Sequence, residues 1–264
     1  MVALVRACHP GPTIAVTTIA VLLGVSVSSE RSLLLVVGVT VLVGQLSIGW
    51  SNDWLDVARD TSAGRTDKPA ASGQLSIGAL RSAALGAGVL SVPLSLIPGW
   101  SGAWHLVLVG SGWAYNLGLK GTVWSPLPYV VGFGALPVYV VRVSGSSVPW
   151  WMVVAGALLG TAVHFANAAP DVEQDRAAGV WGLPQRIGES RSVLVALAAL
   201  GAAGIILLGQ LSASGVVWVV AVLGVLVPLT AGSVLVAMNR TGRSLFLLVM
   251  MAAVVDVALL VVAA

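Results

Sequence analysis

The sequence predicts an all-α membrane protein with about nine transmembrane helices, and three observations support that prediction. Hydrophobic residues make up 58% of the 264-residue chain and charged residues only 9%, with a mean hydropathy of +0.99. A soluble protein of this size carries about a quarter charged residues. Nine apolar segments follow one another with short connections, so little chain remains for a soluble domain. The basic residues, finally, gather on one predicted side of the membrane.

The nine segments are runs of apolar residues long enough to cross, or nearly cross, a bilayer core. The fifth is short, and Pro128 and Pro137 limit its regularity. Small residues such as Gly86 and Gly160 are predicted to allow close helix packing. We expect residues 1–264 to form one transmembrane domain. The segments are 12–29, 32–51, 75–97, 103–119, 127–141, 149–169, 192–210, 215–238 and 244–263.

The distribution of Lys and Arg predicts the orientation. If nine helices run up and down, Arg31 and Arg142 fall on one side of the membrane and eleven basic residues fall on the other. The positive-inside rule then places the N-terminus in the cytoplasm and predicts a multi-pass protein of the plasma membrane. The net charge of +3 reflects this bias, and the absence of a basic run argues against nucleic-acid binding. The eleven are Arg6, Arg59, Arg65, Lys68, Arg81, Lys120, Arg176, Arg186, Arg191, Arg240 and Arg243.

Two regions, 52–73 and 167–188, hold seven of the ten acidic residues and repeat one another at an offset of 115 residues. Four predicted helices separate the copies, and an even number places both copies on the same side of the membrane. The sequence therefore predicts an internal parallel repeat of four helices, unlike the inverted repeats of many transporters. The identical pairs are Asn52/Asn167, Asp56/Asp171, Asp60/Asp175, Gly64/Gly179, Pro69/Pro184 and Gly73/Gly188.

Each region starts with polar residues on one face of a predicted helix. Carboxylates that share a face near an apolar interior repel one another unless a cation lies among them. Mg²⁺ takes oxygen ligands and shares them with substrate phosphates. We therefore predict that both stripes hold Mg²⁺ and, through it, a diphosphate, the alternative being ordinary solvated helix-end charges. At 3.6 residues per turn, one stripe is Asn52, Asp53, Asp56 and Asp60, within roughly 100°, and the other is Asn167, Asp171 and Asp175, with Glu173 pointing away.

These motifs resemble those of the UbiA superfamily of intramembrane prenyltransferases. The resemblance covers nearly the whole chain and rests on Asn52-Asp53-x-x-Asp56-x-x-x-Asp60, Thr66-Asp67-Lys68-Pro69 and Asp171-x-x-x-Asp175. It implies a lipid-accessible central chamber and Mg²⁺-dependent transfer of a prenyl group from an isoprenyl diphosphate to a small acceptor, which we expect to be aromatic. It also implies that Asp53, Asp56, Asp60, Asp171 and Asp175 are catalytic.

Basic and aromatic residues near the motifs are further candidates. Arg65 and Lys68 are expected to hold phosphate oxygens, and so is Lys120, because Tyr115-Asn116-Leu117-Gly118-Leu119-Lys120 matches a Tyr…Leu-Lys pattern of the family. Each of these cations could instead be a positive-inside anchor. Tyr115 is expected to stabilise the prenyl cation through its ring, although an interfacial aromatic belt would explain it equally well.

The remaining candidates flank the acidic motifs. Asn52 and Asn167 are predicted to contact substrate as well as metal. His164 lies one turn before Asn167 on the same stripe and is predicted to take a proton from the acceptor or to bond Asp171. Arg59 and Arg176 are predicted to be surface or loop charges.

Two other functions fit parts of the pattern. A terpene cyclase of the same superfamily would use the same donor chemistry without an acceptor. A cation transporter would also contain intramembrane acids. A transporter should show a polar track across the membrane. Of the acidic residues in the apolar segments, only Asp256 lies away from the predicted cytoplasmic end.

Overall fold

The computed structural model describes residues 2–238 and 243–264, without the side chains of Arg243, Ser244 and Phe246. Arg240, one of the eleven basic residues above, therefore lies outside the described residues, as does the side chain of Arg243. The described part of the chain is all helical, which confirms the predicted fold class. Its α-helices are α1 (Val2–Ala7), α2 (Pro10–Val27), α3 (Arg31–Ser62), α4 (Ile77–Leu96), α5 (Ala103–Asn116), α6 (Leu127–Val143), α7 (Trp150–Ala168), α8 (Val172–Ala177), α9 (Leu183–Ile187), α10 (Glu189–Gln210), α11 (Gly215–Ala237) and α12 (Arg243–Ala263).

Every predicted apolar segment coincides with one helix, but not every such helix is long enough to cross a membrane alone. Within residues 2–238 and 243–264, six helical stretches have the length and hydropathy of a membrane span. Two more, Leu127–Val143 and Leu247–Ala263, are apolar but shorter. The protein is thus an integral membrane protein, while the count of nine spans remains a prediction. The six stretches are Pro10–Val27, Arg31–Ser62, Ile77–Leu96, Trp150–Ala177, Glu189–Gln210 and Gly215–Ala237.

The chain forms two compact units. The first consists of Met1–Gly118 and Val138–Ser147, and the second of Leu119–Pro137 and Val148–Ala264, so the change between them falls inside α6 at Pro137. That the two units together form one functional domain stays a prediction.

Helix α3 organises the first unit and packs against α2, α4 and α5. Its 32 residues make it about 48 Å long, well beyond the roughly 30 Å of a hydrocarbon core. The predicted segment ended at residue 51, but the helix continues to Ser62 and carries the whole first acidic motif. The motif therefore lies on a rigid element.

The N-terminal residues pack against the motif end of α3. The Trp50 indole donates a hydrogen bond of 2.9 Å to the Leu4 carbonyl. At Gly49 a Cβ atom would lie 2.2 Å from the carbonyl oxygen of Cys8, so only glycine allows this approach. Ala7 and Leu80 are fully buried in the apolar cluster formed there. The segment before α2 is thus part of the folded structure around the motif.

Helix α7 organises the second unit and packs mainly against α10, which also contacts α11 and α12. Close packing of α7 against α6 depends on glycine. A Cβ atom at Gly160 would lie 2.4 Å from the Tyr129 carbonyl oxygen, and one at Gly156 would lie 2.5 Å from that of Phe133. The prediction for Gly160 is confirmed. At Gly86 a Cβ atom would meet open space, so the same prediction was wrong there.

The second acidic motif does not lie on one continuous α-helix, which corrects the prediction. Helix α7 ends at Ala168, residues Ala169–Asp171 form a 3₁₀ turn, and α8 begins at Val172. Pro170 explains the break, because proline has no N–H to donate and its ring clashes with the carbonyl four residues earlier. The rotation of 100° per residue of an α-helix therefore does not give the relative directions of the side chains across this motif.

The glycine contacts give a first testable prediction. Gly160→Ala should lower the free energy of unfolding by about 1–3 kcal/mol, because the new methyl group meets a backbone carbonyl that cannot rotate away. Gly86→Ala is the matched control and should be neutral or stabilising by up to about 1 kcal/mol, because alanine favours helix. Thermal unfolding of both variants in one detergent measures the difference. Equal losses of stability would contradict the packing described for α6 and α7.

Candidate active site

The three aspartates of the first motif are buried on one face of α3. The exposed fractions of Asp53, Asp56 and Asp60 are 2%, 6% and 5%. The helical spacing of three and four residues places them on successive turns, as the sequence predicts. Buried carboxylates are costly unless they are paired or hydrogen-bonded. Each of the three does have cationic neighbours.

Asp53 is held by two side chains from other segments. The Lys68 ammonium, from the loop after α3, donates a hydrogen bond to Asp53 Oδ1. His9 Nε2, from the residue before α2, lies 2.8 Å from the same oxygen and 3.0 Å from Lys68 Nζ. The predicted catalytic Asp53 and the predicted phosphate ligand Lys68 are therefore in direct contact.

Asp56 and Asp60 share Arg59. Its guanidinium donates a hydrogen bond of 2.6 Å from Nη2 to Asp56 Oδ2, and its Nε lies 3.8 Å from Asp60 Oδ1. The prediction that Arg59 is a surface charge was wrong, since it is half-buried within the motif. It stabilises two adjacent negative charges.

Asn52 is joined to the end of α5. Its amide donates a hydrogen bond of 3.0 Å to Asn116 Oδ1, and the Asn116 amide donates to the Ile48 carbonyl at 2.9 Å and to Ser51 Oγ at 2.8 Å. Tyr115, the predicted cation-stabilising residue, precedes Asn116 and is half-buried on the same turn of α5. The network fixes this turn against the start of the motif.

The loop after the first motif is shaped by its own hydrogen bonds. The Leu75 N–H donates to the Pro69 carbonyl at 3.1 Å, and the Ser72 N–H donates to the Lys68 carbonyl at 2.9 Å. Arg65 donates two hydrogen bonds, of 2.9 and 2.8 Å, to the carboxylate of Asp67. This guanidinium lowers the pKa of Asp67 to about 2. The phosphate-binding candidate Arg65 is thus oriented by an exposed acid of its own loop.

The second motif is more open than the first. Asn167 and Asp171 are exposed, and Asp175 is half-buried and accepts a hydrogen bond of 2.7 Å from the Gln185 amide. Arg176 donates to exposed Glu173 at 2.6 Å and to the Gln185 carbonyl at 2.6 Å. Arg176 was predicted to be only a surface or loop charge, but it ties α8 to α9.

Ser125 links three parts of the second unit. Its buried hydroxyl accepts a hydrogen bond of 3.0 Å from the Leu183 N–H and lies 3.1 Å from His164 Nε2. The neighbouring Gly182 packs so closely on the turn Leu119–Gly121 that its Cβ would lie 2.5 Å from the Lys120 carbonyl oxygen. The loop of the second motif, the Lys120 turn and His164 are thereby fixed relative to one another.

The two motifs end in the same local backbone geometry. The N–H of Arg65 donates to the carbonyl of Asp60 at 3.0 Å, and that of Val180 donates to Asp175 at 2.9 Å. Gly64 and Gly179, each one residue before these donors, have φ of 67° and 78°. This left-handed conformation commonly ends a helix. The offset between these pairs is the 115 residues of the sequence repeat. The motif ends are thus structurally equivalent, although the four-helix repeat remains a prediction.

Carboxylate and amide oxygens at both motifs are chemically suited to Mg²⁺, which prefers oxygen ligands. Among the residues that the structure describes, no three His, Cys, Asp or Glu side chains are arranged as a ready-made metal site. In the first motif, cationic side chains stabilise the carboxylates instead. The oxygen donors of the two motifs are therefore of the kind that Mg²⁺ binds.

Several contacts could not be read from the sequence. His9 carries little signal, because a single histidine before a proline is common. Asn116 lies within the Tyr115–Lys120 stretch, in which the family pattern gives a role only to Tyr115 and Lys120. Ser125 and Gln185 lie on elements that only the fold brings to the motif. Tertiary packing determines such partners, and no spacing of residues along a single sequence reveals them.

The fold and both motif ends define a helical integral membrane protein with carboxylates concentrated on two equivalent helix ends. The UbiA prenyltransferase family matches residues 13–262, and the chain belongs to this family. The sequence-based resemblance is thereby confirmed.

Solved structures of UbiA homologues share the fold. A homologue from Archaeoglobus fulgidus bound to GPP and Mg²⁺ superimposes with a TM-score of 0.75 at 14% identity, covering 99% of this chain and 100% of that one. The same homologue bound to DMAPP and Mg²⁺ gives 0.75 at 14% identity and covers 98% of each chain. An apo homologue from Aeropyrum pernix K1 gives 0.74 at 16% identity, covering 96% and 98%. No curated protein sequence is significantly similar to the chain.

The Ser125 contacts give the second testable prediction. Ser125→Ala should lower the free energy of unfolding by about 1–3 kcal/mol, because the Leu183 N–H and the His164 ring lose a buried partner. Ser214→Ala is the control, because Ser214 is exposed and makes no capping hydrogen bond, and it should change stability by less than about 0.5 kcal/mol. Thermal unfolding of both variants tests the difference, and an unaffected Ser125→Ala protein would rule out the linking role.

Proposed function

We propose that this protein transfers an isoprenyl group from a prenyl diphosphate to a small acceptor, expected to be aromatic, in a Mg²⁺-dependent reaction within the membrane. The observation that most supports the proposal is the stripe of three buried aspartates on α3, in a chain of the UbiA prenyltransferase family. Homologues with this fold bind GPP or DMAPP together with Mg²⁺. The aromatic acceptor is proposed from the family resemblance alone.

The proposed metal ligands are the oxygen donors of both motifs. When bound, Mg²⁺ supplies positive charge beside the leaving diphosphate. The allylic C–O bond breaks, the diphosphate leaves with the bonding electrons, and the prenyl cation alkylates the acceptor, which releases a proton. The chain's part is to hold the carboxylates in place before the substrate arrives, and the rigid end of α3 does this. The proposed ligands are Asn52, Asp53, Asp56, Asp60, Asn167, Asp171 and Asp175.

The lysines are proposed to bind the diphosphate directly. Lys68 is half-buried beside Asp53, so an anionic ligand competes with that carboxylate for its ammonium group. Lys120 lies in a turn held by Gly182 and Ser125. Donors fixed in advance stabilise charge at little reorganisation cost. Arg65 is proposed as a further phosphate contact, once it exchanges Asp67 for the ligand.

The remaining candidates are proposed to contact the organic parts of the substrates. Tyr115 would present its ring to the prenyl cation, because an aromatic face attracts positive charge. His164 is buried among Tyr129 and Phe165, with ring centroids 4.9 and 5.2 Å away. Its imidazole is proposed to accept the proton that the acceptor releases. The N-terminus and both motifs are proposed to face the cytoplasm of a plasma membrane, on the positive-inside rule.

Metal dependence is the third testable prediction. Purified protein in detergent, given a prenyl diphosphate and an aromatic acceptor, should stop releasing diphosphate on addition of EDTA and resume with excess Mg²⁺. Omitting the acceptor separates transfer from cyclisation, because a cyclase releases diphosphate without one. Undiminished release in EDTA would contradict the proposed role of the two motifs.

The fourth prediction concerns the motifs themselves. Asp56→Asn and Asp171→Asn should each lower kcat/KM for the donor by about a hundred-fold or more, because a ligand charge disappears while side-chain shape is kept. Glu173→Gln is the matched control beside Asp171 and should be nearly silent, because Glu173 is exposed and bonds only Arg176 among the contacts described. Equal damage from Glu173→Gln and Asp171→Asn would rule out the assignment of the second motif.

The fifth prediction separates phosphate binding from membrane orientation. Lys68→Ala and Lys120→Ala should each lower donor kcat/KM roughly ten- to a hundred-fold, the cost of losing a charge-assisted hydrogen bond. Arg81→Ala is the control, because it also removes one basic residue of the predicted cytoplasmic side, yet Arg81 is exposed and lies over the Trp54 ring. Wild-type kinetics in both lysine variants would contradict phosphate binding. The two lysines would then serve only to orient the chain in the membrane.

A further inference from the structure

The residues before α2 are fixed against the first motif by contacts that do not involve its carboxylates. Arg6 donates to the Asp67 carbonyl at 3.3 Å and to Gln74 at 3.4 Å, while Trp50 donates to the Leu4 carbonyl. The backbone of Cys8 lies against Gly49, where no side chain would fit. These contacts place the next residue, His9, beside Asp53.

The backbone of His9 adopts a conformation that side chains other than glycine rarely take. Its φ of 54° and ψ of 70° lie in the left-handed region, and no other non-glycine residue in the described ranges 2–238 and 243–264 has positive φ. Such a conformation persists only where the surrounding structure determines it. At this position the imidazole reaches Asp53, although 37% of the His9 side chain stays exposed.

The contact of His9 with Asp53 gains importance when substrate binds. In the proposed function Lys68 exchanges Asp53 for a phosphate oxygen, and Asp53 is only 2% exposed. A buried carboxylate left without a donor loses both stability and orientation. His9 Nε2 lies 2.8 Å from Asp53 Oδ1 and donates to it in the tautomer that carries the proton on Nε2. It belongs to a different segment of the chain from Lys68.

We propose that His9 is a positioning residue, which keeps Asp53 oriented for Mg²⁺ after Lys68 has turned to the diphosphate. The inference rests on the proposed function and adds to it a residue outside both motifs. His9 acts through Asp53 and touches neither substrate. Its removal should therefore weaken the use of metal more than it weakens the fold.

Three variants distinguish positioning from simple docking of the N-terminal segment. His9→Gly removes the ring and relieves the left-handed backbone, so it should fold. His9→Gln returns an amide nitrogen near the position of Nε2. Arg6→Ala loosens the same segment without touching a motif carboxylate. Each is measured as full-length protein for thermal unfolding, for the Mg²⁺ concentration giving half-maximal diphosphate release, and for binding of an unreactive prenyl thiolodiphosphate in the presence of Mg²⁺.

The proposal expects His9→Gly to raise the half-maximal Mg²⁺ concentration about five- to ten-fold and to weaken binding of the thiolodiphosphate similarly. His9→Gln should recover to within about two-fold of wild type, and Arg6→Ala should stay within the same limit whatever its melting temperature. Wild-type Mg²⁺ use and analogue binding in His9→Gly would overturn the proposal. So would an equal effect in Arg6→Ala, because the segment would then act as a whole. Wild-type protein that binds no analogue with Mg²⁺ would overturn the proposed function and this inference together.

Discussion

Three carboxylates buried at one end of an apolar helix must be compensated, and that requirement organises the first unit. Asp53, Asp56 and Asp60 are almost inaccessible, and an unpaired buried charge is strongly destabilising. Arg59 within α3 and Lys68 in the following loop provide the charges, and His9 adds a polar contact. The need to place these side chains beside the aspartates explains why the residues before α2 and the loop after α3 both pack closely against the motif end of α3. It also places two cationic side chains, Arg59 and Lys68, at the motif end of α3.

The two motifs share a backbone design but differ in electrostatics. At the position equivalent to Lys68 the second copy has Leu183, and at that of Ala70 it has Gln185. Asp175 is accordingly bound by a neutral amide, and Asp171 is left exposed. The carboxylates of the first copy therefore have cationic partners, whereas the second copy has an exposed aspartate and a loop tied by Ser125.

The fold class, the positions of the apolar helices and the helical first motif were predictable, because hydropathy and helical spacing are local properties of a sequence. The break at Pro170 was also a local signal, and the exact repeat concealed it, since Asn167, Asp171 and Asp175 match residues of an unbroken helix. Contacts such as His9 with Asp53 were not predictable, because they join residues far apart in sequence through tertiary packing. Arg59 shows the same effect: composition marks it as an anchor, and burial makes it part of the motif.

The most direct test of the central claim is a crystal structure of the protein with Mn²⁺ in place of Mg²⁺ and an unreactive prenyl thiolodiphosphate. Anomalous scattering locates Mn²⁺ without reference to the protein model. The account predicts peaks within about 2–2.5 Å of carboxylate oxygens in the first motif, at Asp53, Asp56 or Asp60, and in the second, at Asp171 or Asp175. A diphosphate held by lysines and arginines, with no peak beside either motif, would contradict it.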